Sequence, residues 1–518
     1  RVAPIEVSPH DPNIVYHGSQ FVHKTTDEGV TWEQISPDLT AFRPERQVES
    51  GEPITRDITG EEHYSVVYAI EESPVQAGVI WAGANDGLVQ VTRDGGRTWK
   101  DVTPADMPPE GRIQTIDPSP HAAGKAYFAG YRTLLGDLTP FIYKTENFGD
   151  SWTLLTPGDN GIPADYPTRA VREDTEREGL LYAGTEFGMF VSLNDGESWE
   201  RFQFNLPVTP ITDIKVHQDD LVLSTMGRAF WVMDNLSPLR QRGDAMGAGG
   251  AHLFQPADAY RSRGGGRGGF GGGSPDQPQY SQAGAVIDYS LPSTASGLQL
   301  EILNAAGDVL RTFESGGDGA RTEQAQEMRG PFQRTTGGAR LENGRGVHRF
   351  LWDMTVTGPG GAGRGPTVAP GDYQVRLTAD GQTQTRTFEL LMDPRVAADG
   401  ITVTHLQAQF DLGMEVLAAI ADAGQTIQTL NGAMQRAADG SSLEDQLKEI
   451  ETALVTDRTI SSYPQPMLAD QLSYLYGNTQ RADQEPAADM YTRLEVLVTE
   501  LEAHKARLER LMRTITDL

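Results

Sequence analysis

Asp86 and Glu186 stand at matching positions in two similar stretches, Trp-Ala-Gly-Ala-Asn-Asp-Gly (81–87) and Tyr-Ala-Gly-Thr-Glu-Phe-Gly (182–188). Two carboxylates facing each other at roughly 5–10 Å across a cleft are what glycoside hydrolysis requires. Another route to the same chemistry uses a phenol nucleophile with a carboxylate partner. Tyr64 with Glu61 or Glu62 offers that pair, and Arg56, Arg132 and Arg228 offer cations for a substrate carboxylate. Gln20, Arg56, His63, Asn85, Tyr131 and Phe187 are the candidate binding side chains. The polar insertion 37–63, which also holds Arg43, Arg46 and Asp57, is long for a compact repeat, and such insertions are enriched in function.

The elements that must position these residues follow from an internal repeat. Four segments share the pattern Ser/Thr-x-Asp/Asn-x-Gly-x-Ser/Thr-Trp, ending at Trp32, Trp99, Trp152 and Trp199. The tryptophans stand 67, 53 and 47 residues apart, against the roughly 40–50 residues of a four-stranded propeller blade. Asp27, Asp94, Asn147 and Asn194 head hairpin turns, where a short polar side chain bonds its own backbone and glycine takes positive φ. The tryptophan then opens the next strand and packs between blades. Alternating strands lie upstream of each turn, as in 79–94 and 180–195, and 221–235 reads as a fifth unit without the turn motif. Propellers close with four to eight or more blades, so further blades are expected upstream or on a separate chain. The turn motifs lie at the rim opposite the candidate residues and read as structural.

Three segments follow. Residues 243–280 are rich in Gly and Arg and read as a flexible linker. Residues 281–396 alternate as short strands divided by turns such as Ala306-Gly307-Asp308, and read as a small β-sandwich. Residues 402–518 are helical: Leu406, Phe410, Gly413, Leu417, Ile420, Gly424 and Ile427 form one heptad seam, and Leu494, Leu497, Leu501, His504, Leu508 and Leu511 another. The two long helices should pack antiparallel, with Gly413 and Gly424 permitting close approach and the helical tail offering a surface for homo-oligomers.

A net charge of −29 argues against nucleic-acid partners. With no cysteine there is neither a disulfide framework nor thiol chemistry. No run of 18 apolar residues marks a transmembrane segment. No ligand run suggests a metal or cofactor, so none is expected.

The four-fold motif resembles the Asp-box, or BNR, repeat of sialidase-like and sortilin-like β-propellers. Met226-Gly227-Arg228-Ala229-Phe230-Trp231-Val232-Met233-Asp234 resembles the His-Gly-Arg-Ser-Phe-Trp-Val-Leu-Asp run of large exported bacterial proteins labelled BNR-repeat glycosyl hydrolases, with Met226 in place of the histidine. Trp352-Asp353 and Pro370-Gly371-Asp372-Tyr373 resemble an Ig- or fibronectin-like module of FlgD type. The Phe/Tyr-Arg-Ile-Pro motif of sialidases is not seen. The resemblance implies a mainly β chain in domains 1–242, 243–280, 281–396 and 402–518, an extracytoplasmic location, and a protein, peptide or glycan ligand. Modular build and the lack of a dense catalytic motif favour a non-catalytic binding or assembly scaffold, with a sialidase- or xyloglucanase-like glycoside hydrolase as the alternative.

Overall fold

The computed structural model describes residues 3–46, 64–243, 249–262, 283–315, 341–361, 363–437, 440–459 and 464–516. Two compact units divide at Leu236/Ser237. The candidates Arg56, Glu61 and His63 lie outside the described residues, as does most of the 37–63 insertion.

The first unit is a succession of small antiparallel sheets in chain order, a propeller-type arrangement. Among the described residues there are five, four with four strands and the fifth with three. Sheet one is built from Ile5–Val7, Val15–Gly18, Val22–Thr25 and Glu33–Gln34; sheet two from Val67–Glu72, Ile80–Ala84, Val89–Thr92 and Lys100–Asp101. Sheet three holds Arg112–Pro118, Ala126–Tyr131, Phe141–Thr145 and Thr153–Leu154; sheet four Thr168–Glu173, Leu181–Thr185, Gly188–Ser192 and Glu200–Arg201. Sheet five is Ile211–His217, Asp220–Thr225 and Phe230–Met233. Cores form between consecutive sheets because strand residues alternate sides. Tyr16 and Val22 meet Ile80 and Ala82 between sheets one and two, and Trp81 and Val91 meet Ile113 and Phe128 between sheets two and three.

Each repeat motif closes the turn from third to fourth strand. The hydroxyls of Thr25, Thr92, Thr145 and Ser192 accept the N–H of Gly29, Gly96, Gly149 and Gly196 at 2.9–3.0 Å. Asp27, Asp94, Asn147 and Asn194 accept the N–H of Thr31, Thr98, Ser151 and Ser198 at 2.9–3.0 Å. These hydrogen bonds hold the Asp27 carboxyl below its usual range and the Asp94 carboxyl down at about 2.

Among the described residues the second unit contains three sheets, the smallest a two-stranded pairing of Thr355–Thr357 with Arg364–Thr367, and four longer helices. A three-stranded sheet orders His252–Leu253, Ala285–Leu291 and Gly346–Trp352; a five-stranded one orders Ala259–Arg261, Gln382–Met392, Gly371–Ala379, Leu298–Asn304 and Val309–Glu314. Their inner faces share a core that includes Ile287, Trp352, Leu300, Val375 and Phe388. Two strands of this sandwich, at 252–253 and 259–261, come from the stretch that composition assigned to the linker. Glycine content hid them: the sandwich supplies their pairing partners, and Arg261 is buried with its guanidinium 2.5 Å from Asp483. The first unit also ends at Leu236 rather than 242.

Helices Val403–Met434, Ser442–Leu454, Leu468–Thr479 and Ala488–Thr516 enclose Leu412, Val416, Leu430, Leu472, Leu497 and Leu501. A Cβ at Gly413 would meet Gln480 at 2.9 Å and Pro366 at 3.1 Å, whereas one at Gly424 would meet nothing within 4 Å. Close approach therefore occurs at Gly413 and not at Gly424. His504 is half-buried with Nε2 3.9 Å from Glu500. Among the described residues no helix is long and apolar enough to cross a membrane.

Candidate functional site

In an up-and-down sheet the connection from strand two to three lies at the same end as the link to the next sheet, and the first and third turns lie at the other. Asn85, Asp86, Arg132, Glu186, Phe187 and Arg228 all sit on second-to-third-strand connections, with Tyr131 closing a second strand. The candidates therefore share one rim, opposite the repeat turns.

The carboxylates on that rim are engaged in different clusters. Asp86 is 3% exposed, and its Oδ2 accepts the N–H of Ala41 at 2.9 Å. Burial pushes its carboxyl up, against the pull of the Ser65 hydroxyl and the Ala41 amide. Asn85 beside it accepts the N–H of Val66 at 3.0 Å. Tyr64 joins this group: burial, then the neighbouring Asp86, pushes its phenol up. The cluster ties the long connection between sheets one and two onto sheet two.

Glu186 belongs to a second cluster, across sheets three and four. Its Oε1 accepts the Tyr131 hydroxyl at 2.7 Å and Arg169 Nε at 2.5 Å, and Arg169 Nη2 donates to the Tyr131 oxygen at 2.9 Å. The guanidinium carbon also lies 4.4 Å from the Tyr131 ring centre. Arg169 reaches both because the register shifts between Thr168 and Ala170, and a bulge re-aims the extra side chain. Phenol, carboxylate and guanidinium satisfy one another. Burial and the bond to Glu186 push the Tyr131 phenol up, the wrong direction for a nucleophile.

The arginines also divide. Arg132 donates to Asp137 at 2.8 Å and to the Pro108 carbonyl at 3.0 Å, so it fastens its own loop. Arg228 is exposed, on a turn held by its N–H to Thr225 Oγ1 and by Trp231 Nε1 to its carbonyl. Phe187 packs on Tyr166 with ring centres 4.7 Å apart. Concavities of 310 Å³, around Glu33–Pro37 and Gly95–Arg97, and 540 Å³, around Asp372–Gln374 and Thr387–Glu389, lie away from these carboxylates.

The same rim also exposes apolar side chains. Leu134, Leu135 and Leu138 in sheet three's connection, Phe187 in sheet four's, Phe204 in the link to sheet five and Met226 in sheet five's connection are all exposed, Leu134 and Phe204 to 76% and 77%.

A constellation that the sequence reading did not single out lies on the innermost strands. Glu6, Glu71, Asp117, Arg172 and Lys215 come one from each sheet, at equivalent register: they pair with Tyr16, Trp81, Tyr127, Tyr182 and Val222. Arg172 is its hub, with Nη1 2.9 Å from Asp117 and Nη2 3.2 Å from Glu71 and 3.3 Å from Asp213. Arg172 Nε donates to the Ile214 carbonyl at 2.8 Å, and Lys215 Nζ lies 3.7 Å from Glu71. The signal was present as a second repeat: Ile-Glu-Val-Ser-Pro (5–9), Ile-Glu-Glu-Ser-Pro (70–74) and Ile-Asp-Pro-Ser-Pro (116–120).

In this ring the Glu6 carboxyl is pushed up to about 8, first by burial and then by repulsion from Glu71, against the pull of Lys215 and Arg172. A carboxyl whose folded value lies above its unfolded one binds more protons when folded, so its stabilisation is full below about 4.5 and is lost as pH rises through about 8. The denaturant midpoint of the protein is expected to fall between about pH 5 and about pH 8 by more than that of Glu6→Gln. Parallel profiles would show that Glu6 stays ionised.

No family model matches the chain, and no curated protein does. Solved structures similar to it include YCF48 bound to a D1 peptide, 17% identical over 30% of this chain and 47% of that one, with a TM-score of 0.24. The GH74 xyloglucanase of Xanthomonas campestris is 13% identical over 73% and 57%, TM-score 0.34. PorZ, a surface component of the type-IX secretion system of Porphyromonas gingivalis, is 13% identical over 75% and 51%, TM-score 0.32. The chain spans about half the length of each of these three structures. Likeness at this level assigns no activity, and the sheet order is what describes the first unit as propeller-type.

Proposed function

We propose that the first unit is a non-catalytic platform that binds a polypeptide through its apolar loop rim. The observation that carries this is the exposure of Leu134, Leu135, Leu138, Phe187, Phe204 and Met226 on one rim, where the candidate carboxylates are already engaged. Exposed apolar side chains gathered on one edge favour protein contact, and aromatic residues dominate such contacts. Arg228 adds a cation for an acidic group on the ligand. In this reading the chain is an exported Asp-box protein, and its Ig- or fibronectin-like sandwich and helices are docking arms.

The glycoside hydrolase alternative asks more of the same rim. Asp86 would have to leave Ala41, and Glu186 would have to leave both Arg169 and Tyr131, before either met a sugar. Peptides selected by display against the protein provide the test. Phe187→Ser with Phe204→Ser is expected to weaken their binding at least about tenfold, the loss of one or two apolar anchors. Phe187 packs on Tyr166 and Phe204 on Phe202, so the double variant should also lose about 1–3 kcal/mol of stability, and binding is compared under conditions where both proteins are fully folded. Undiminished binding, or turnover of a β-glucan that Glu186→Gln abolishes, would overturn the proposal.

A further inference from the structure

The three interfaces between Asp-box sheets repeat one contact. Trp99 Nε1 donates to the carbonyl of Ile35 at 2.9 Å, Trp152 Nε1 to that of Val102 at 2.6 Å, and Trp199 Nε1 to that of Leu155 at 3.0 Å. Each acceptor lies in the preceding sheet, three residues beyond that sheet's own motif tryptophan. The motif's glycine position presses on the same residue. A Cβ at Gly96, Gly149 or Gly196 would come within 2.6 Å of Ile35 or 2.5 Å of Val102 or Leu155. Indole and glycine together staple each sheet to the one before it.

The first sheet carries the whole staple, yet uses none of it. Trp32 is 45% exposed, against 4% for Trp199, and its indole turns back to the Gly29 carbonyl of its own turn at 3.1 Å. A Cβ on Gly29 would meet only the Trp32 ring. On this outward face Val15 and His17 occupy the places that Ile80 and Ala82 fill in sheet two, and Ile80 and Ala82 are fully buried against sheet one. Ile5 and Val7 extend the face and are 68% and 50% exposed. His17 stacks edge-on against Trp32, ring centres 5.8 Å apart.

We infer that the outward face of the first sheet is an interaction surface for a further Asp-box blade, one that presents to Trp32 the carbonyl three residues beyond its own motif tryptophan. In repeat architectures each unit buries its face only on its neighbour, and a terminal unit that needs no neighbour replaces its docking residues with polar ones. The first sheet keeps Trp32, Gly29, Ile5 and Val7. The fifth sheet does not offer the matching carbonyl from a second copy, because the motif is lacking there: Phe230–Met233 runs directly into Asp234 and Asn235.

The test is photo-cross-linking in the native cells, with a benzophenone amino acid placed at Val7. The expected product joins position 7 to a peptide that carries Ser/Thr-x-Asp/Asn-x-Gly-x-Ser/Thr-Trp and lies outside these 518 residues. Trp32 should also be protected from oxidation in the native particle to the level of Trp199, and become reactive when the 518-residue chain is purified alone. Trp32→Ala should leave that chain folded, with only a small loss of stability, while abolishing the cross-link. A cross-link to residues 200–236 of a second copy, to a peptide without the motif, or to nothing, with Trp32 reactive throughout, would overturn the inference.

Discussion

Arg172→Leu is expected to destabilise the first unit by about 3–5 kcal/mol, the cost of removing one partner from a buried ion cluster. The mutation strips the shared cation from Glu71, Asp117 and Asp213, and the donor from the Ile214 carbonyl. Arg172 and Asp117 are buried, so water cannot fully take over. Asp117 is already pushed up to about 6 by burial, with Arg172 as the largest opposing pull. Without that pull its carboxyl should bind a proton near neutrality, and the variant should lose most stability at high pH. Adding Asp117→Asn removes one of the stranded charges and is expected to recover part of the loss. Urea unfolding at about pH 6 and about pH 8 checks both statements. A variant as stable as the parent would mean that the innermost strands hold together without the ring.

Trp199→Ala carries the second large effect, about 3–5 kcal/mol for a fully enclosed tryptophan. Its indole bonds Leu155 and its ring packs with Tyr127, Leu155, Val171 and Phe190 between sheets three and four. Trp32→Ala, the same substitution in the same motif, should cost less than about 1 kcal/mol in the isolated chain, because the residue is half exposed and bonds only its own turn. Equal losses measured by urea unfolding would show that the motif stabilises its hairpin rather than the sheet boundary.

The pairing of these two tryptophans shows where a sequence stops informing. Trp32 and Trp199 sit in octapeptides of the same pattern, and the local turn is the same in both: hydroxyl to glycine N–H, Asp or Asn to the Ser/Thr N–H. Everything within eight residues was legible. What differs is the sheet that receives the indole, 44 residues away for Trp199. The carboxylate candidates fell to the same limit. Asp86 and Glu186 occupy equivalent connections, as their matching flanks required, but Arg169 reaches Glu186 only through a bulge in another strand, and Ala41 reaches Asp86 from a connection 45 residues upstream. Composition failed at 252–253 and 259–261, where neighbouring glycines masked strands whose partners lie more than a hundred residues on in the case of 259–261.

By itself the sequence determined the sheet-forming repeat, the turn chemistry and which stretches of the second unit form strands or helices, because each depends on short-range periodicity and on hydrogen bonds a residue makes to its near neighbours. Only the tertiary structure decided which polar side chains are consumed and which surface is left over. Whether a carboxylate is a reagent or a fastener depends on the charge and burial around it, and those come from strands that the chain brings together from far apart.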